Sequence, residues 1–217
     1  MVISHIYKRI EKNRRFKKSV VFSFFVLQLT LLKRFMIVLS GASASGKTEA
    51  AKMLTSKYGI VKAITTTTRP MRVNEVDGRD YFFVTKERFE KMIKEDLFVE
   101  HTLYNGNYYG STKAQIADNR SVVIDLEGLK SYSALNDKRI VTFYLSTSED
   151  VRYRRMLERG DKEIDAKRRL ENDRKIFAQG NIPNVNYHID SENKTIEQVA
   201  DEVYRLYCKT MKAISNS

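Results

Sequence analysis

Residues Gly41-Ala42-Ser43-Ala44-Ser45-Gly46-Lys47-Thr48 spell G-x-x-x-x-G-K-[ST]. The two glycines let the backbone bend so that successive N–H groups, and the start of a following helix, converge on phosphate oxygens. Lys47 is suited to neutralising the β- and γ-phosphates of a nucleoside triphosphate, and Thr48 to offering its hydroxyl to Mg²⁺. All eight residues are therefore candidates for the triphosphate site. A second cluster follows: Thr65-Thr66-Thr67-Thr68-Arg69-Pro70-Met71-Arg72 ends in two arginines three apart. Paired guanidinium forks suit a phosphate monoester, because each can make two charge-assisted hydrogen bonds. Tyr81 and Tyr109 offer phenolic donors nearby in the sequence. Taken alone, two arginines also fit a solvated basic loop.

These groups need elements to hold them. The apolar run Met36–Leu39 predicts a buried strand leading into the glycine loop, and Thr48–Tyr58 predicts a helix leading out, stopped by Gly59. Further strands are expected at 60–64, 81–84, 98–104, 107–109, 121–126, 140–145 and 187–189. Asn105-Gly106 marks a hairpin between the strands at 98–104 and 107–109. Helices are expected from Thr85 to about Lys94, over 148–159 with Gly160 as stop, over 165–177, and after the capping box that Thr195 opens. Strands alternating with helices predict an α/β fold with a central parallel sheet covered on both faces. The hairpin-rich stretch at 66–112 breaks this rhythm and reads as an inserted lobe.

Composition limits the alternatives. The chain has 217 residues and is 42% hydrophobic, with a single cysteine, Cys208. No intrachain disulfide can form, which suits a reducing, cytoplasmic setting. His5, His101 and His188 are scattered, so no structural zinc site is expected. The net charge of +12 is unevenly spread. Residues 1–35 hold nine cations against Glu11, a net of +8, which leaves +4 for the remainder. That balance suits anionic substrates and argues against a nucleic-acid groove in the core. The same 35 residues contain the apolar run 20–32 between basic flanks, short of the roughly 20 residues that a spanning helix needs. They read as an upstream start ahead of a native Met36, as a helix packing on the domain or a partner, or as weak contact with a membrane surface.

The runs Asp80-Tyr81-Phe82-Phe83-Val84, Phe98-Val99-Glu100-His101 and Gly106-Asn107-Tyr108-Tyr109-Gly110-Ser111 resemble the guanylate kinase family, as does nearly all of 36–217. The resemblance implies a P-loop three-layer fold with core 36–65 and 113–217, a GMP-binding lobe over 66–112 and a helical lid at about 155–169. It implies ATP with Mg²⁺ as donor and GMP or dGMP as acceptor. Arg69, Arg72, Tyr81 and Tyr109 then hold the GMP phosphate, while Thr65, Glu100, Ser111 and Asp125 face guanine. A carboxylate such as Glu100 can accept from guanine N1–H and N2–H₂ together, whereas adenine N1 would leave it unpaired. Such sites discriminate by about 10⁴-fold or more. Ser148–Gly160 resembles the family's lid, which implies that Arg155, Arg159 and Arg169 close over the triphosphate, where mobile cations stabilise spreading charge. Arg168 and Arg174 compete with Arg169 for that part.

The chain departs from the family in three places. The pattern acid-x-Asp-x-Gln-Gly reads Val123-Ile124-Asp125-Leu126-Glu127-Gly128 here, so Asp125 stands as the lone strand-end acid unless the register shifts. The lid is slightly short and lacks a threonine after Gly160, and Thr65 stands where serine is common. The expected activity is ATP-dependent phosphorylation of GMP to GDP. A sister kinase acting on a ribose phosphate and a non-catalytic interaction module are the alternatives. Glu100 and Ser111 argue against the first, and the intact Lys47-Thr48 against the second. Oligomeric state leaves no signature in the sequence.

Overall fold

The computed structural model describes residues 35–71, 75–104, 106–117, 119–178 and 180–215. The expectations for residues 1–34, and Asn105 of the hairpin turn, lie outside these. A five-stranded parallel sheet forms the centre, in the order β2-β7-β1-β8-β9. Its strands are β1 (Met36–Gly41), β2 (Val61–Lys62), β7 (Arg120–Val123), β8 (Ile140–Ser146) and β9 (Tyr187–Asp190). β1 is central because it is apolar on both faces. Ile37 and Leu39 enter one hydrophobic cluster with Ala50, Leu54 and Val203, while Met36 and Val38 enter another with Leu126, Leu129 and Tyr132. Helices cover both faces, as two-sided burial of a parallel sheet requires.

Helix α1 (Lys47–Tyr58) follows β1 directly and ends at Gly59, whose φ of 70° lets its N–H reach back to the last carbonyls. Tyr58 stacks on Tyr204 of the C-terminal helix α6 (Ile196–Ser215), with ring centroids 3.8 Å apart. That contact anchors the phosphate-facing helix at its far end. The capping box of α6 forms as the sequence predicts. Gln198 N–H donates to Thr195 Oγ1, and Thr195 N–H donates to Gln198 Oε1.

A second sheet of four strands lies within 66–112, in the order β4-β3-β6-β5, with β3 at Thr66–Thr67, β4 at Phe82–Phe83, β5 at Phe98–Tyr104 and β6 at Asn107–Thr112. Helix α2 (Lys86–Lys94) is capped by Thr85 and seats Phe89 and Met92 against Phe98 in a small core of its own.

Three expected strands are shorter than their apolar runs, and the one at 81–84 is reduced to Phe82–Phe83. Only Val61 and Lys62 pair with β7, and Ile64 N–H turns instead to the Gln115 side chain. β7 stops at Val123, because the Asp125 carboxylate accepts the Gly128 N–H and starts helix α3 (Leu126–Ala134). That helix is absent from the sequence reading. Its serines and glycine carry little helical signal, and Leu126, read there as strand, belongs to its buried face with Leu129 and Tyr132. Helices α4 (Glu149–Glu158) and α5 (Glu163–Ile176) pack together through Met156, Ala166 and Leu170, against Ala44 of the glycine loop. No helix among the described residues is long and apolar enough to cross a membrane.

Candidate active site

The glycine loop leaves the C-terminal end of the central strand, where ligands of such sheets bind. Its backbone is tightly specified. Gly41 has φ of 147°, and a Cβ there would lie 2.2 Å from the Leu145 carbonyl oxygen. Side-chain hydrogen bonds then pin the loop: Ser191 Oγ donates to the Ser45 carbonyl at 2.9 Å. Arg155 donates to the carbonyls of Ser191 at 2.9 Å and Ala44 at 3.4 Å. Lys47 folds back onto the loop, and its Nζ donates to the Gly41 and Ala42 carbonyls, both at 2.7 Å. Burial pushes the Lys47 ammonium down to about 8, and the Asp173 carboxylate partly offsets this. Arriving phosphates would favour the charged form again.

Two cavities border this loop and its helix. One, of about 500 Å³, is lined by Ala44, Gly46, Lys47, Thr48, Arg155 and Arg159. The other, of about 540 Å³, lies between α1 and the edge of the central sheet and is lined by Thr48, Lys62, Thr65, Tyr81 and Val123. Thr48 belongs to both. The first is lined by cationic side chains and the start of α1, and Tyr81 of the arginine-and-tyrosine cluster lines the second.

In that cluster Arg69 lies over the rings of Tyr81 and Phe83, at 5.5 and 5.7 Å from their centroids, and pairs with Glu75 at 2.7 Å. Glu75 holds Arg69 firmly charged, with Tyr109 adding to the effect. Tyr81 and Tyr109 meet edge to face at 6.2 Å. Arg72 lies outside the described residues. Deeper in, Ser111 Oγ donates to Glu100 Oε1 at 2.5 Å, across the β5–β6 ladder. A register irregularity between Phe98 and Glu100 accompanies this pairing. Burial raises the Glu100 pKa, the Ser111 hydrogen bond opposes the rise, and the neighbouring Asp125 carboxylate adds to it. The structure therefore brings Glu100, Ser111 and Asp125 together as neighbours. Asp125 caps α3 while it does so, and Ser40 Oγ donates to its carbonyl. Val123, in place of an acid, ends β7 at the wall of the second cavity. Glu127 is exposed and pairs with Lys130.

The lid arginines differ in their surroundings. Arg155 is fixed against the loop, whereas Arg159 and Arg169 both donate to Asp161 Oδ2, Arg159 Nε at 3.1 Å and Arg169 at 2.9 Å. Arg168 pairs with Asp165 and Arg174 with Glu149, so Arg169 alone of the three joins Arg159 through Asp161. The sequence reading missed Asp161, Ser191, Arg152 and Asp173. Arg152 and Asp173 are each only 7% exposed. A charged pair on one face of two consecutive amphipathic helices is the signal that could have found them.

A G-x-x-x-x-G-K-T loop between the central strand of a parallel sheet and helix α1 defines the class of P-loop folds, with an arginine-and-tyrosine cluster on a neighbouring sheet. Comparison with known proteins narrows the class. The guanylate kinase family model matches residues 33–207, and the chain belongs to that family. It is 37% identical over 132 residues to the guanylate kinase of Clostridium perfringens (strain 13 / Type A), a match covering 58% of this chain and 61% of that one. With the Fusobacterium nucleatum enzyme it is 31% identical, over 63% of this chain and 78% of the relative. With that of Wolbachia pipientis wMel it is 28% identical, over 82% and 92%. A crystal structure of guanylate kinase from Anaplasma phagocytophilum shares the fold, with TM-score 0.55 and 24% identity over 82% of this chain and 86% of that one.

Proposed function

We propose that the chain transfers the γ-phosphoryl group of ATP to GMP, yielding ADP and GDP, with dGMP as a further acceptor. The observation that carries this reading is the position of Thr48, at the junction of the loop-and-arginine cavity and the cleft that leads to Tyr81 and Thr65. A bound triphosphate and a bound monophosphate would point their reacting ends toward that junction.

Residues 41–48 cradle the donor phosphates. Lys47 leaves the Gly41 and Ala42 carbonyls to meet the transferred charge. Arg155, Arg159 and Arg169 surround the triphosphate, and Arg69, Arg72, Tyr81 and Tyr109 hold the acceptor phosphate. Glu100, Ser111, Asp125 and Thr65 read guanine. The acceptor is already anionic at neutral pH, so positioning and charge stabilisation suffice without a general base. Mg²⁺ suits the site although no group of three or more His, Cys, Asp or Glu among the described residues could hold a metal. This ion is usually held by one or two protein oxygens together with phosphates and water, and the exposed Thr48 hydroxyl supplies one. When bound, it neutralises β- and γ-phosphate charge. The 66–112 lobe and the 155–169 lid would close on the two nucleotides, and the single cysteine fits a reducing, cytoplasmic setting.

A coupled assay with ATP and GMP, dGMP, AMP, UMP or ribose phosphates tests the reading. GMP and dGMP should turn over, with AMP and the sugar phosphates far slower. Preference for a ribose phosphate would favour the sister-kinase alternative, and no turnover would favour an interaction module.

A further inference from the structure

Behind the glycine loop lies a charged pair to which the reaction outlined above assigns no part. Arg152 of α4 and Asp173 of α5 are each 7% exposed, and Arg152 Nη1 sits 2.7 Å from Asp173 Oδ2. The same carboxylate oxygen accepts the N–H of Ser43, the third residue of the loop, at 2.8 Å. Arg152 Nε is buried with no hydrogen-bond partner among the described residues. A pair in such surroundings is costly to bury, and an apolar pair of similar volume is often as stable or more so. Simple packing therefore gives a poor account of it.

The geometry supplies a better one. Ser43 N–H and Ala42 C=O belong to one rigid peptide plane. Asp173 holds the N–H end of that plane, and Lys47 Nζ rests on the carbonyl end at 2.7 Å. Ser45 N–H donates to the same carbonyl at 3.2 Å. Rotation of this peptide would move the resting place of Lys47 and the turn of the loop together. Asp173 and Arg152 also sit on the two helices that carry Arg155, Arg159 and Arg169. One carboxylate oxygen thus ties the loop to both lid helices.

We propose that Asp173, held by Arg152, is a positioning residue of the donor site: it fixes the Ala42–Ser43 peptide plane and registers the phosphate loop against the helices of the lid. The proposal rests on the loop being the ATP site, as in the reading above, but does not depend on the acceptor being GMP.

The test compares wild type with Arg152→Met/Asp173→Leu, which replaces the pair by apolar side chains, and with Asp173→Asn, which keeps an acceptor for Ser43 but loses the charge. Three quantities are read: ATP affinity by calorimetry, KM for ATP and for GMP, and hydrogen exchange of the Ser43 amide without nucleotide. The double variant should stay folded, weaken ATP binding about tenfold, raise KM for ATP in parallel and leave KM for GMP within about twofold. Its Ser43 amide should exchange faster, while amides of the central sheet keep their protection. Asp173→Asn should fall between the two, and it carries the test if the double variant does not fold. Equal changes in KM for both nucleotides, or unchanged ATP affinity and Ser43 exchange in whichever variant folds, would overturn the proposal. Loss of GMP turnover in the wild type would overturn the acceptor assignment instead, with ATP affinity and amide exchange still deciding this one.

Discussion

Under the proposed reaction the backbone is the binding element in the phosphate loop, whereas in the acceptor lobe side chains are. Gly41 admits no Cβ, and the carbonyls of Gly41, Ala42, Ala44 and Ser45 are each held by a named side chain. The acceptor lobe instead relies on a two-strand hairpin to bring Glu100 opposite Ser111 and on Glu75 and the rings of Tyr81 and Phe83 to hold Arg69. A triphosphate needs many donors at fixed positions, which amides on a rigid turn supply. A base needs one edge recognised, which a single oriented carboxylate supplies. The two halves should therefore fail differently when damaged: the donor half in rate, the acceptor half in choice.

The largest separation is expected at Lys47. Lys47→Met should lower kcat by roughly 10²–10³-fold or more, since it removes charge stabilisation at the transferring group. GMP affinity by calorimetry should persist, and near-normal turnover would break the comparison on its donor side. Glu100→Gln should act in the opposite sense, lowering the ratio of kcat/KM for GMP over AMP by about 10²-fold, with ATP affinity unchanged. An unaltered ratio would remove Glu100 from base reading.

Acid should also divide the halves. Burial raises the Glu100 pKa, so the carboxylate takes up its proton at a higher pH than an exposed glutamate does. KM for GMP should rise as pH falls through that raised value, while KM for ATP stays flat in the same window. The stability effect has the other sign. The charged buried carboxylate disfavours the fold above its folded pKa, and that penalty fades as pH falls toward the unfolded value. A GMP profile that begins to change only at an ordinary glutamate pKa would contradict this. The smallest effect is expected at Asp161. Asp161→Asn frees Arg159 and Arg169, but both arginines are about half exposed, so KM for ATP should shift by less than about threefold.

The same division governs how much the sequence discloses. The loop is legible because its geometry permits few residue types, and Gly41, Gly46, Lys47 and Thr48 announce it in eight letters. The parallel sheet is legible because two-sided burial writes continuous apolar runs at 36–39 and 140–145. Helix α3 is hidden because tertiary packing outweighs weak local propensity, and Asp125, a strand-end acid in the sequence reading, is its cap. Among the lid arginines the sequence alone cannot choose between Arg168, Arg169 and Arg174. Packing gives each a different carboxylate, Asp165, Asp161 and Glu149 in turn, and only Asp161 is shared with Arg159. Arg152 and Asp173 fall on the buried faces of their helices, beside Met156 and Leu170, but that they meet each other behind the loop is set only by docking.

The central claim is that one cleft, joined at Thr48, passes a phosphoryl group from ATP to GMP. Incubating the enzyme with Mg²⁺, GMP and ATP labelled at the γ-phosphorus tests it directly. The label should appear as the β-phosphate of GDP, in a one-to-one ratio with ADP formed. Label released as inorganic phosphate, with GMP recovered intact, would contradict it.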